Sequence, residues 1–207
     1  MNWKLIDIKQ ETNHPFLNFF TLTYEVEEDD GKHTQYDYYM VSRRSRDQLL
    51  VKTSAFQKPD GVVMPLYYIN ENTKEVSFLL TKQYRPAVGA YMTSFTAGLL
   101  DKEDEIFSAC KREAREESGA IITDLEILSP SAPTSVGLSD EINAVVLGRI
   151  IRFEKSDLEE FEDIRTDLFS IDEIKKMLND KNYMFPVNIR ILLLYLMNRF
   201  ENKEVIK

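Results

Sequence analysis

Two periodicities divide the chain. Over the first half, apolar residues fall in short runs of β-forming type. Residues 16–26 (FLNFFTLTYEV) and 35–41 (QYDYYMV) read as strands, with Asp29, Asp30 and Gly31 between them as a hairpin turn. Residues 1–55 therefore predict an antiparallel β-rich unit. Lys58, Pro59, Asp60 and Gly61 punctuate the chain and suggest a boundary, with a second domain over 56–207. Residues 62–69 and 76–81 form a second hairpin pattern, 121–128 a further strand, 129–135 a loop, and 142–151 a core strand. From Ile171 the spacing turns helical, first over 171–178 and then over 188–200. The last of these is apolar nearly all round but too short to span a bilayer.

The stretch 97–120 does not fit a simple amphipathic pattern. It predicts a helix of about four turns, capped by Asp101 or Asp104 and closed by Gly119. At about 100° per residue, Ile106, Phe107, Cys110 and Ala114 share an arc with Ala109 at its edge. Glu113 and Glu117 fall in the middle of that arc, and Glu116 lies to one side. A solvated, charge-laced helix explains Lys111 and Arg115 on the far side, but not acids directed inward. An ionised carboxylate buried without a counter-charge costs several kcal/mol, roughly. Oxygen-rich acidic clusters suit hard divalent cations, and magnesium leaves coordination positions for water and phosphates.

Composition narrows the classes. With 207 residues, 43% hydrophobic and 29% charged, the chain is long enough for a substantial core. A net charge of −9 argues against nucleic acid held on a broad basic surface. One cysteine, Cys110, excludes an internal disulfide framework and fits a reducing cytoplasm; on the inner arc it reads as a packing residue. No apolar run suggests a membrane partner, and the N-terminus lacks a signal-peptide pattern. Arg43, Arg44 and Arg46 read as a polar loop, and the acidic run 155–163 as a solvated one. The functional alternative for that run is a loop that brings a general base to an attacking water.

Gly98, Arg112, Glu113, Glu116, Glu117 and Gly119 keep the spacing of the Nudix box, with Asp104 at the position of its first acid and Ala114 and Ala120 as small aliphatics. The chain thus resembles the Nudix hydrolases. That resemblance implies an α/β fold, a mixed sheet sandwiched between helices, behind a small β-rich N-terminal unit used to form a homodimer. It also implies magnesium (or manganese in its place) held by Glu113, Glu116, Glu117 and the main-chain carbonyl of Ala97. Arg112, on the outer face of the helix, reads as orienting the acids or pinning the loop rather than touching substrate.

Gln83, Tyr84 and Arg85 resemble the Gln-Phe/Tyr-Arg element of the ADP-ribose pyrophosphatases, which implies that Arg85 holds substrate. Ser94, Phe95 and Thr96 replace that subgroup's Glu-x-Pro. Residues 135–141 resemble its Ser-Pro-Gly-x-x-x-Glu loop, with Val136 in place of proline; Glu141 is a candidate substrate contact or an ordinary turn acid. Residues 160–164 resemble the segment that supplies the general base, pointing to Glu160 and then Glu162. The activity implied is hydrolysis of ADP-ribose or a similar nucleoside diphosphate sugar. The alternatives are UDP- or ADP-glucose, a dinucleoside polyphosphate, or a non-catalytic ligand-sensing module.

Overall fold

Strand β1 (Asn2–Gln10) pairs antiparallel with β2 (Asn18–Glu27), and β2 with β3 (His33–Ser42), in the computed structural model, which describes residues 1–101, 105–157 and 163–202. Gly31, at φ +81°, closes the expected β2–β3 turn and donates its N–H to the Glu28 carbonyl. β1 was not individually legible. Its alternation is diluted by Lys4, Asp7 and Lys9, and a register shift between Leu5 and Asp7 breaks the period. Ile8, Phe20, Leu22 and Met40 point to one side of this sheet and pack with Leu49.

The chain divides into two compact units, Met1–Asp60 with Ser131–Asn143 and Gly61–Pro130 with Ala144–Lys207. In the smaller, the sheet is followed by a single 3-10 turn (Arg46–Gln48) and a one-turn helix, α1 (Leu50–Thr53). Arg43 and Arg44 do lie in a loop after β3, but Arg44 is not one of its solvated residues. Its side chain is only 15% exposed; Nη2 donates to Asp60 Oδ1 at 2.6 Å and Nη1 to the Asp140 carbonyl at 2.9 Å. Asp60 Oδ2 in turn accepts from the Ile142 N–H, so one guanidinium ties three separate segments together.

The larger unit holds most of a mixed sheet built from β4 (Gly61–Met64), β5 (Leu66–Ile69), β6 (Val76–Arg85), β7 (Ala90–Ser94), β8 (Thr96–Leu99), β9 (Ala120–Pro133), β10 (Ile142–Phe153) and β11 (Ile164–Ser170). The order is β11-β6-β5-β10-β4-β8, with β7 beside β6 and β9 beside β10. The expected hairpin forms between β5 and β6. Pro65 separates β4 from β5, and β10 enters between them, where the Gly148 N–H donates to the Pro65 carbonyl. β9 runs on through residues expected to form a loop. Pro130 and Pro133 are tolerated because β9 has a single neighbour, β10, among the described residues.

Helix α2 (Ile106–Ser118) covers one face of this sheet; α3 (Ile171–Asn179) and α4 (Val187–Glu201) cover the other. Alternation along β6 shows the two faces directly: Phe78 and Leu80 join the α3/α4 core, Leu79 the α2 core. The mixed α/β sandwich expected from the sequence is therefore the fold. Ser170 and Glu173 start α3 with reciprocal capping bonds. Among the described residues, no helix is long and apolar enough to cross a membrane.

Candidate active site

The helix α2 begins after Glu105, whose extended conformation sets the N-cap without a side-chain cap bond. The expectation of an Asp101 or Asp104 cap is corrected for Asp101; Asp104 lies outside the described residues. Gly119 ends the helix as expected, at φ +71°. A Cβ there would stand 2.0 Å from the Glu154 carbonyl oxygen, so the position excludes side chains on steric as well as conformational grounds.

The face of α2 turned to the sheet is made of Ala109, Cys110, Ala114 and Glu117, all buried. Phe107, expected on this face, is 41% exposed: small residues fill the close contact and the phenyl ring lies at its margin. Burial pushes the Cys110 thiol up to about 12, in keeping with a packing role. Glu117 is an acid at 9% exposure inside an otherwise apolar contact.

Glu113 lies against the backbone of β8. A Cβ built on Gly98 would meet its Cδ at 2.1 Å and its Oε1 at 2.4 Å, so the absent side chain is the cradle in which this carboxylate rests. Arg112 bridges the acids, with Nη1 2.8 Å from Glu113 Oε1 and 3.1 Å from Glu116 Oε2. In this arrangement no three metal-type side chains converge among the described residues. The donors nevertheless fit a hard divalent cation: carboxylates one turn apart on one helix, facing a strand that gives up a side chain to make room. Ala97 lies on that strand, opposite Val63 of β4.

Beside the helix, a cleft of about 550 Å³ is lined by Lys111, Arg112, Arg115, Glu116 and Asp157. The Asp157 N–H donates to the Glu116 carbonyl at 2.9 Å, tying the start of the acidic run to α2. Glu160 and Glu162 lie outside the described residues. Just beyond them, Asp163 Oδ2 accepts a 2.5 Å hydrogen bond from the Tyr91 hydroxyl of β7, and this bond, with the carboxylate's charge, raises the Tyr91 pKa.

Arg85 ends β6 in step with Leu79, which places it on the sheet face that α2 covers. In the smaller unit, Glu141 accepts from Arg43 Nη1 at 2.5 Å and from Thr134 Oγ1 at 2.9 Å. It lines a cavity of about 250 Å³ with Arg43, Arg44, Asp60 and Ser139. The Arg43 guanidinium also lies over the Phe16 ring, 5.1 Å from its centroid.

Arg44, Tyr91 and Thr96 take places that sequence reasoning did not assign. Nothing in the run of three arginines distinguishes Arg44. Tyr91 lies on a strand that went unrecognised, and Thr96 was noted only as a departure from a motif.

A family model described as NUDIX domain matches residues 58–187. A solved structure titled "Crystal structure of ADP compounds hydrolase" is similar to this chain at a TM-score of 0.71 and 14% sequence identity, over 98% of this chain and 96% of that one. At that identity the likeness is one of fold.

Proposed function

The chain belongs to the NUDIX domain family, and from that premise we propose that it hydrolyses the pyrophosphate bond of ADP-ribose or a similar nucleoside diphosphate sugar, using magnesium. The products are a nucleoside monophosphate and a sugar phosphate: water forms the new P–O bond and the bridging P–O bond breaks. The observation that carries this reading is the inward acid pair, with Glu117 buried in the helix contact and Glu113 seated on Gly98. The solved structure similar to this chain is titled as a hydrolase of ADP compounds, which supports the substrate class.

Nudix hydrolases generally work with a divalent ion, and here Glu113, Glu116, Glu117 and the Ala97 carbonyl would hold it. Such an ion supplies Lewis acidity toward phosphoryl oxygens and makes water a stronger acid. The rest of the work falls to the chain. Arg112 holds Glu113 and Glu116 in a fixed relation and offsets part of their negative charge. Arg85, on the same face of the sheet, grips a phosphate through its forked N–H groups. Glu160, or in second place Glu162, takes the proton of the attacking water. Glu141, in the smaller unit, is proposed as a substrate contact from the resemblance of its loop alone. The same reading includes a cytoplasmic homodimer assembled through residues 1–55.

The decisive experiment incubates the protein with ADP-ribose, ADP-glucose, UDP-glucose and diadenosine polyphosphates, with and without magnesium, and separates the products. Magnesium-dependent release of AMP and ribose phosphate from ADP-ribose is expected. Preference for another substrate would favour the second reading, a Nudix hydrolase of different specificity, to which Thr96 and the exposed Val136 already point.

A further inference from the structure

The hydroxyl of Thr96 poses a physical problem. The residue is wholly buried, and Oγ1 has no hydrogen-bond partner among the described residues. A buried, unsatisfied hydroxyl is costly, and in a native structure it commonly marks a place taken by a bound water or ion. Its direction is set by the strand. Thr96 and Gly98 are two apart on β8 and project to the same face. On that face the Gly98 position abuts the Glu113 carboxylate, and Met64, paired with Thr96, packs in the cluster that contains Cys110 and Ala114. The hydroxyl is thus aimed at α2.

The helix runs back along the strand. Leu100 and Ile106, which flank the connection, close on the same core cluster, so α2 starts at the Leu99 end of β8. A step of two strand residues covers about 6.6 Å and a step of four helical residues about 6 Å. With Glu113 opposite Gly98, the next turn brings Glu117 opposite Thr96.

We propose that Thr96 is a positioning residue of the cation site: its hydroxyl binds a buried water shared with the Glu117 carboxylate and fixes the direction in which that acid presents its oxygens. This rests on the reading of the acids as cation ligands. It concerns the hydrated inner wall of the site, formed by a hydroxyl where the pyrophosphatase subgroup has an imino acid that cannot donate. An apolar residue of the same shape would leave that water one partner short.

The test uses Mn²⁺ as probe, with binding to the substrate-free protein followed by electron paramagnetic resonance and thermal unfolding recorded in parallel. Thr96→Val, nearly isosteric, is expected to lose about tenfold in Mn²⁺ affinity, as partners behind first ligands commonly do. Thr96→Ser should retain the wild-type affinity, and Thr96→Ala provides a second hydroxyl-free variant if valine disturbs the fold. Wild-type affinity in both hydroxyl-free variants, with a raised melting temperature, would overturn the proposal: the hydroxyl would then be only an uncompensated polar group. If the wild-type protein itself takes up no Mn²⁺, the cation reading falls and this proposal with it, which distinguishes the two failures.

Discussion

The two faces of the eight-stranded sheet are packed on different terms. Toward α3 and α4 the core is made of large side chains: Tyr67, Phe78, Phe95, Leu147, Leu193 and Leu196, with Phe78 and Phe200 rings 5.2 Å apart edge to face. Toward α2 the sheet still presents Met64, Leu66, Leu79 and Ile150, but the helix meets them with the small side chains of Ala109, Cys110 and Ala114, and a glycine lies opposite an acid. The first face gains its stability from area removed from water. On the second, close approach of helix and strand brings carboxylates to the backbone, and the buried Glu117 carboxylate adds polar rather than apolar surface to the contact. On the proposed function, packing and chemistry fall on opposite sides of one sheet.

Substitutions on the two sides should separate these contributions. The largest effect is expected from Glu117→Gln, which should lower magnesium-dependent kcat/KM by about 10³-fold or more while leaving the melting temperature nearly unchanged. Full activity in this variant would remove the cation reading. Gly98→Ala comes next. The new methyl group displaces the Glu113 carboxylate, the flexible end of a side chain, so kcat/KM should fall by about 100-fold with little loss of stability in denaturant titration.

On the other face the ranking reverses. Leu193→Ala should cost about 3 kcal/mol of unfolding free energy and leave kcat of the folded fraction unchanged. A large change in kcat there would mean that the two faces are coupled. Ser170→Ala, which removes the α3 cap, should cost about 1 kcal/mol by the same measurement. The smallest effect concerns Cys110. Its folded pKa lies above the ordinary value of 9.0, so its contribution to stability is complete below that pH and fades as pH climbs toward about 12. Iodoacetamide at pH 8 should therefore label unfolded protein only.

Much of this division was legible in the sequence because it is written locally. The spacing of Glu113 and Glu117 put them on the inner arc, and Gly119 marked the end of the helix. The α3 and α4 segments announced themselves by periodicity. What escaped has non-local causes. β7 and β8 are short, and their turns at 86–89 and 95 separate too few residues for a period to emerge. β11 follows an acidic run that hides its start. The isolation of the Thr96 hydroxyl depends on α2, and the role of Arg44 on Asp60 and Asp140, far along the chain. Sequence spacing cannot express such three-body arrangements.

The insertion of β10 between β4 and β5 has a consequence for synthesis. These two strands leave the ribosome in succession, yet each needs the same third strand, which emerges only after some seventy further residues have been made. Until then both edges stay bare, and the parallel pairing of Gly148 with Leu66 cannot form. Assembly of the sheet is therefore deferred to late in translation, with a high entropic cost of loop closure and a window in which exposed edges invite wrong pairing.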